Sequence, residues 1–133
     1  MDPIARPRTA PDPHRLASAA LQAFFNLSAR WGLGAAQERI LLGGPPESTF
    51  FKWKAQKSAQ RLGRDVLDRI SYLLGIYKAL NILLPSQRAA DEWVKKPNAA
   101  ALFHGRSALE RMLGGSLVDL ADVRRYLDGQ RGL

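Results

Sequence analysis

Apolar residues recur at helical intervals along most of the chain, and nowhere do they alternate as in a strand bounded by hairpin turns. From Leu16 the run Leu21, Phe24, Phe25, Leu27 and Trp31, free of Gly and Pro, predicts a first helix that Gly32 closes. "GAAQERILLGG" predicts a second helix of about two turns, ending at its glycines. "PPEST" then forms a turn in which Ser48 or Thr49 caps a third helix, "FFKWKAQKSAQRL", reaching to near Gly63. Asp65 opens a long run in which Val66, Ile70, Leu73, Leu74, Tyr77, Leu80 and Leu84 share a stripe. Leu67, Ile76 and Leu83 widen that stripe beyond one face, so this central helix is expected to be covered on two sides and to offer a dimer surface before Pro85 ends it.

Beyond Pro85 the elements are short. "SQRAADEWVKKP" predicts a helix between a Ser86 cap and Pro97, and "NAAALFHG" a loop or single turn. The Ser107–Glu110 spacing is that of a capping box, opening a helix that Gly114 and Gly115 stop. A last helix starts at Ser116 and carries Leu117, Leu120, Val123 and Leu127 on one face, with Gly129 as its stop. Gln130, Arg131, Gly132 and Leu133 then remain, either as a frayed end or as a short peptide for another molecule's pocket. Four prolines in the first 13 residues predict an irregular arm over 1–15. The chain reads as all-α, without an internal repeat.

Charge sharpens this picture. The 133 residues carry a net charge of +8, and the excess is local: residues 16–64 hold seven basic and two acidic groups, whereas 65–133 hold ten and eight. Five bases and no acid lie between Lys52 and Arg64, the footprint of a polyanion-binding surface. A short helix, a glycine-containing turn and a second helix make the helix-turn-helix pattern, whose second helix enters the major groove. Residues 16–64 fit it, with 35–44 as the first helix of the pair and 48–59 as the second. Ser48, Thr49 and Lys52 then face bases or phosphates, while Lys54, Lys57, Arg61 and Arg64, three or four residues apart, align along a backbone. Phe50, Phe51 and Trp53 are expected in the core.

Catalytic signals are missing. There is no cysteine, no metal-spaced His or carboxylate set, no phosphate loop and no nucleophile elbow; "LGG" at 42–44 and 113–115 lacks the residues of such a loop and reads as helix termination. No cofactor and no metal are expected. His104 is the one candidate general base, and a histidine beside a glycine turn is more often a loop residue than a catalyst. A hydrolase or nuclease using it ranks below a binding protein. With no apolar run near the roughly 20 residues of a membrane span and no secretory signal, a cytoplasmic protein is the simplest expectation.

The second half resembles a known family. "RISYLLGIYKAL" followed by "ADEWVKKPNAAALFHGRSALERMLGGSLVDLADVRRYLDG" is similar to the toxin-binding domain of the MbcA/ParS/Xre antitoxins, with Arg69, Gly75, Tyr77, Trp93, Pro97, Asn98, Gly105, Ser107, Gly115, Val123, Tyr126 and Leu127 in order. Together with "WGL", "LLGG" and "STFFKWK", the resemblance spans about residues 16–133. It implies a type II antitoxin with 65–133 as its toxin-binding domain. The implied partner is a RES-domain toxin, an ADP-ribosyltransferase-like enzyme that consumes NAD, and operator DNA is implied as a second partner. In the family the C-terminal end lies against the toxin's NAD site. That assigns toxin contacts to Trp93, Asn98, Phe103, Arg125, Tyr126, Gln130, Arg131, Gly132 and Leu133, with Arg131 and the terminal carboxylate suited to charged partners. Two departures are Ala108, where the family often has proline, and the Pro45-Pro46 turn. The competing reading is a stand-alone helix-turn-helix regulator, dimerising through the central helix without a toxin.

Overall fold

A computed structural model describes residues 12–133, and the expectation for an irregular arm lies almost wholly outside them. Seven α-helices occur among the described residues: α1 (Pro13–Trp31), α2 (Ala35–Leu41), α3 (Glu47–Gln56), α4 (Arg64–Leu83), α5 (Gln87–Trp93), α6 (Ala108–Met112) and α7 (Leu117–Gln130). A 3-10 turn, Ala101–Phe103, lies between α5 and α6. Among the described residues strand-like pairing is limited to one isolated antiparallel bridge between Pro97 and Ser107.

α4 is the strut, packed against α1, α5 and α7. Ile70, Leu73, Ile76, Ala79 and Leu80 are fully buried along it, joined by Leu21, Phe24 and Trp31 of α1 and by Leu120, Val123 and Leu127 of α7. One continuous core therefore runs through both halves of the chain. Gly75 leaves room for the Arg124 guanidinium of α7, paired with Asp128 at 3.2 Å, to lie against α4.

Helix ends follow local chemistry. Ser86, Ser107 and Ser116 cap as expected: Ser86 accepts from the Ala89 N–H, Ser107 and Glu110 make a reciprocal capping box, and Ser116 does the same with Asp119. Four ends differ from the sequence expectation, three of them in α1 and α3. α1 starts at Pro13, not Leu16, because proline fits the first turn and the Asp12 carboxylate accepts the His14 N–H at 3.1 Å. α3 starts at Glu47 behind Pro46 with no side-chain cap, so Ser48 and Thr49 lie inside its first turn. It also ends at Gln56, a full segment before Gly63. Lys57 turns left-handed (φ 48°), and the chain then folds back onto α1 through Ser58 to Ser18 (3.1 Å) and Ala59 to His14 (2.8 Å), so that Leu62 can be buried. Burial of Leu62 outweighs the helical pattern of 57–62.

The last helix runs through Gly129. Arg131 is its cap residue, and Gly132 takes the left-handed conformation (φ 81°). The Leu133 N–H donates to the Asp128 carbonyl (2.9 Å) and the Gly132 N–H to that of Gly129 (3.1 Å), which is a Schellman motif. The segment after Gly129 is thus a helix cap.

Arg69 joins the halves. It is buried, its Nε donates to Asp65 (2.8 Å) and its Nη1 to the Gly115 carbonyl between α6 and α7 (2.9 Å). Gly43, at φ 94° in the α2–α3 turn, lies against the same guanidinium; a Cβ there would come within 2.9 Å of both Arg69 Nε and Asp65 Oδ2. Gly43→Ala is expected to lower the unfolding free energy by about 2 kcal/mol or more, from backbone strain and collision together. Gly63→Ala, in open space at the α4 N-cap, should change it by no more than about 0.5 kcal/mol. Urea titrations of both variants check this.

Candidate DNA and partner interfaces

In the N-terminal half α2 and α3 are joined by the Gly43–Pro46 turn, which Arg39 closes by donating to the Pro45 carbonyl at 2.5 Å. Phe50 is buried on the inner side of α3 and Trp53 is half-buried. Phe51 is not a core residue: 52% exposed, it lies on the outer face with Ser48, Lys52 and Gln56. A residue one step from a core position is turned about 100° away, enough to reach solvent on a helix packed on one side only.

The expected cationic stripe does not form. Lys54 points inward and pairs with the buried Glu38 at 2.5 Å, while Ser28 donates to the other Glu38 oxygen at 2.6 Å. This triad ties α1, α2 and α3 together. Lys57 is the left-handed cap of α3 and holds its ammonium 5.9 Å from the Phe25 ring centre. Arg64 is already in α4 and pairs with Asp68 at 3.7 Å. Lys52 and Arg61 are left without an ion-pair partner among the described residues, and both line one cleft with Thr49. The early end of α3 is the physical reason: spacing aligns side chains only while the helix continues.

The C-terminal half presents an aromatic cluster. Trp93 and Tyr126 stack at 6.5 Å and 20°, and Phe103 meets both edge-on at 5.9 and 5.2 Å. Phe103 is buried, so it supports the other two rings from beneath. Asn98 is likewise structural. Its side chain accepts from the Ala100 N–H (2.9 Å), its N–H donates to Arg106 and its carbonyl accepts from Gly105, closing the 98–106 loop. His104 adopts a left-handed conformation (φ 51°) at the end of the 3-10 turn within that loop.

Trp93, Tyr126 and Gln130 border a cleft of about 230 Å³ whose other walls are Leu80, Leu83, Leu84 and Leu127. Leu83 and Leu84 are absent from the sequence-based site because leucines before a helix-ending proline read as core. Arg131 pairs with Asp128 at 3.8 Å, Arg125 is exposed and pairs with Asp122 at 3.4 Å, and Leu133 is 77% exposed. On α5 the exposed Glu92 carboxyl is held below the usual carboxylate range, chiefly by hydrogen bonding and charge from Arg88, with Lys96 adding to it.

Among the described residues no group of three or more His, Asp or Glu side chains is placed to hold a metal, and no helix is long and apolar enough to cross a membrane. The described chain is thus a helix-turn-helix joined by one long helix to a small helical module that carries a cleft bordered by the half-buried Trp93 and Tyr126. Residues 10–75 match the antitoxin Xre-like helix-turn-helix domain, and residues 79–132 match the antitoxin Xre/MbcA/ParS C-terminal toxin-binding domain. The chain belongs to the Xre/MbcA/ParS antitoxin family and is an antitoxin of a toxin-antitoxin system. It is also 48% identical over 114 residues to the uncharacterized protein y4oB of Sinorhizobium fredii (strain NBRC 101917 / NGR234), covering 86% of this chain and 85% of that one.

The Glu38 triad makes a stability prediction that separates two lysines only two residues apart. Lys54→Ala strands a buried carboxylate with Ser28 alone and should lower the unfolding free energy by roughly 2–3 kcal/mol. Lys52→Ala, on the exposed face, should change it by no more than about 0.5 kcal/mol. Chemical denaturation of the two variants tests the assignment.

Proposed function

We propose that the chain neutralises a RES-domain, NAD-consuming toxin by laying its C-terminal surface against the toxin's active site, and that its helix-turn-helix binds the operon's own DNA. The observation that carries the first part is the aromatic cleft at the end of α7, within the matched toxin-binding domain and continuous with a tail held in a defined shape. Trp93, Tyr126 and Gln130 act as direct contacts here, with the Leu133 side chain as an apolar anchor and Arg125 and Arg131 as charged neighbours. Asn98 and Phe103 hold the loop and the rings in place, and Gly132 sets the direction in which Leu133 leaves the helix.

For DNA, the outer face of α3 supports Ser48 and Phe51 as groove contacts, Phe51 being suited to a thymine methyl, with Lys52 at the edge of that face directed to the backbone. Thr49, Arg61 and the bases around them reach the backbone. Lys54, Lys57 and Arg64 serve the fold first. A helix-turn-helix reads two half-sites as a dimer, and α4 offers a surface for a second copy in the largely apolar groove it forms with α1, lined by Leu16, Ala20, Ala23, Leu67 and Leu74.

Leu133→Asp leaves every backbone bond of the cap intact while placing a charge on the proposed anchor. In cells co-expressing a RES-domain toxin encoded beside this gene, the variant is expected to lose at least tenfold in protection, and Trp93→Ala should weaken co-purification with the toxin. Full protection by Leu133→Asp, at equal protein level, would remove the tail from the mechanism.

A further inference from the structure

The cleft that Lys52 and Arg61 share lies at the edge of α3, between the start of α1 and the 58–61 segment. It measures about 420 Å³, and among the described residues its lining includes no acidic side chain. Three separate segments build it. α3 contributes Thr49, Lys52, Trp53 and Gln56 from successive turns; the early end of that helix brings Ser58 to Arg61 round to form a wall; and α1 closes the far side with His14. The wall is fixed in place. His14 Nδ1 donates to the Ala59 carbonyl (2.8 Å), since a carbonyl can only accept, and the Ser18 and Ser58 hydroxyls are 3.1 Å apart. Elsewhere on the 52–64 segment the cations are engaged: Lys54 by Glu38, Lys57 over Phe25 and Arg64 by Asp68. The two that remain converge on one concave site with hydroxyl and carboxamide donors around them.

We propose that this cleft is a phosphate clamp that takes one phosphodiester of a nucleic-acid backbone. An ammonium supplies a compact charge and a guanidinium a planar fork matched to two phosphate oxygens, while Thr49, Gln56 and Gln60 offer neutral donors beside them. A helix lying in the major groove has a phosphate backbone along each edge, so a clamp at the edge of α3 sets its register without reading bases. Arg61 acts from the folded-back segment, which is why its spacing from Lys54 and Lys57 is irrelevant to its role. The proposal rests on the DNA-binding reading above and adds to it the particular phosphate site.

Binding of the full chain to a mixed-sequence duplex, measured across a series of salt concentrations, tests it. Lys52→Ala with Arg61→Ala should reduce the slope of log affinity against log salt by roughly 2, the contribution of two lost phosphate contacts. Lys95→Ala with Arg106→Ala removes the same charge from exposed positions in the other half and should leave the slope within about half a unit of the parent. Equal losses in both pairs, or an unchanged slope in the first, overturn the clamp while leaving DNA binding standing. Absence of duplex binding by the parent chain overturns both. A free-anion site is distinguished by inorganic pyrophosphate: shifts of the Gln56 and Gln60 side-chain NMR signals with pyrophosphate, but none with duplex, contradict the proposal.

Discussion

Everything in this molecule is built on α4, and the buried Arg69 guanidinium is where that helix holds both halves at once. One nitrogen donates to Asp65, a second to the carbonyl that ends the α6–α7 turn, and the α2–α3 turn rests against it through a glycine. A buried arginine is stable only when its donors are satisfied. Here the acceptors come from the helix itself and from the distant turn, so the guanidinium fixes the helix-turn-helix and the C-terminal module in one geometry. The shared hydrophobic core along α4 does the same with larger area and less direction.

That arrangement separates residues that hold the fold from those proposed to meet partners. Glu38, Lys54 and Ser28 form an internal tie beneath α3; Phe103 and Asn98 form another beneath the aromatic cleft. In both halves this underlayer lies beneath the residues proposed to meet partners: Lys52, Arg61 and Phe51 on one side, Trp93, Tyr126 and Leu133 on the other. Pre-organisation of this kind lowers the ordering entropy lost on binding.

Much of the fold was legible in the sequence because helix period, proline stops and serine caps are local signals. The long helix ending before Pro85 and the three serine caps follow directly from them, as does the left-handed Gly32. Legibility failed where a tertiary contact overrode a local pattern. The 57–62 stretch keeps a helical period, but burying Leu62 and bonding to His14, 45 residues earlier, turns it into a return segment. The cationic stripe disappears with it. Gly129 looked like a stop, yet an exposed glycine can remain helical when a second glycine, at position 132, supplies the left-handed residue that the cap needs. Of the candidate site, residue types were readable and roles were not: nothing in the sequence distinguishes Lys54, aimed at a buried carboxylate, from Lys52, aimed at solvent. The toxin itself entered through family resemblance, because an aromatic cleft names no partner.

The central claim is that the toxin is held at the cleft and capped tail on α7. Amide hydrogen exchange of the antitoxin, free and in complex with a RES-domain toxin, tests it most directly. Protection is predicted at the end of α5 and from Tyr126 to Leu133, with little change in α2 and α3. Protection confined to α3 and the 57–63 segment, with the end of α7 exchanging as in the free protein, would contradict it.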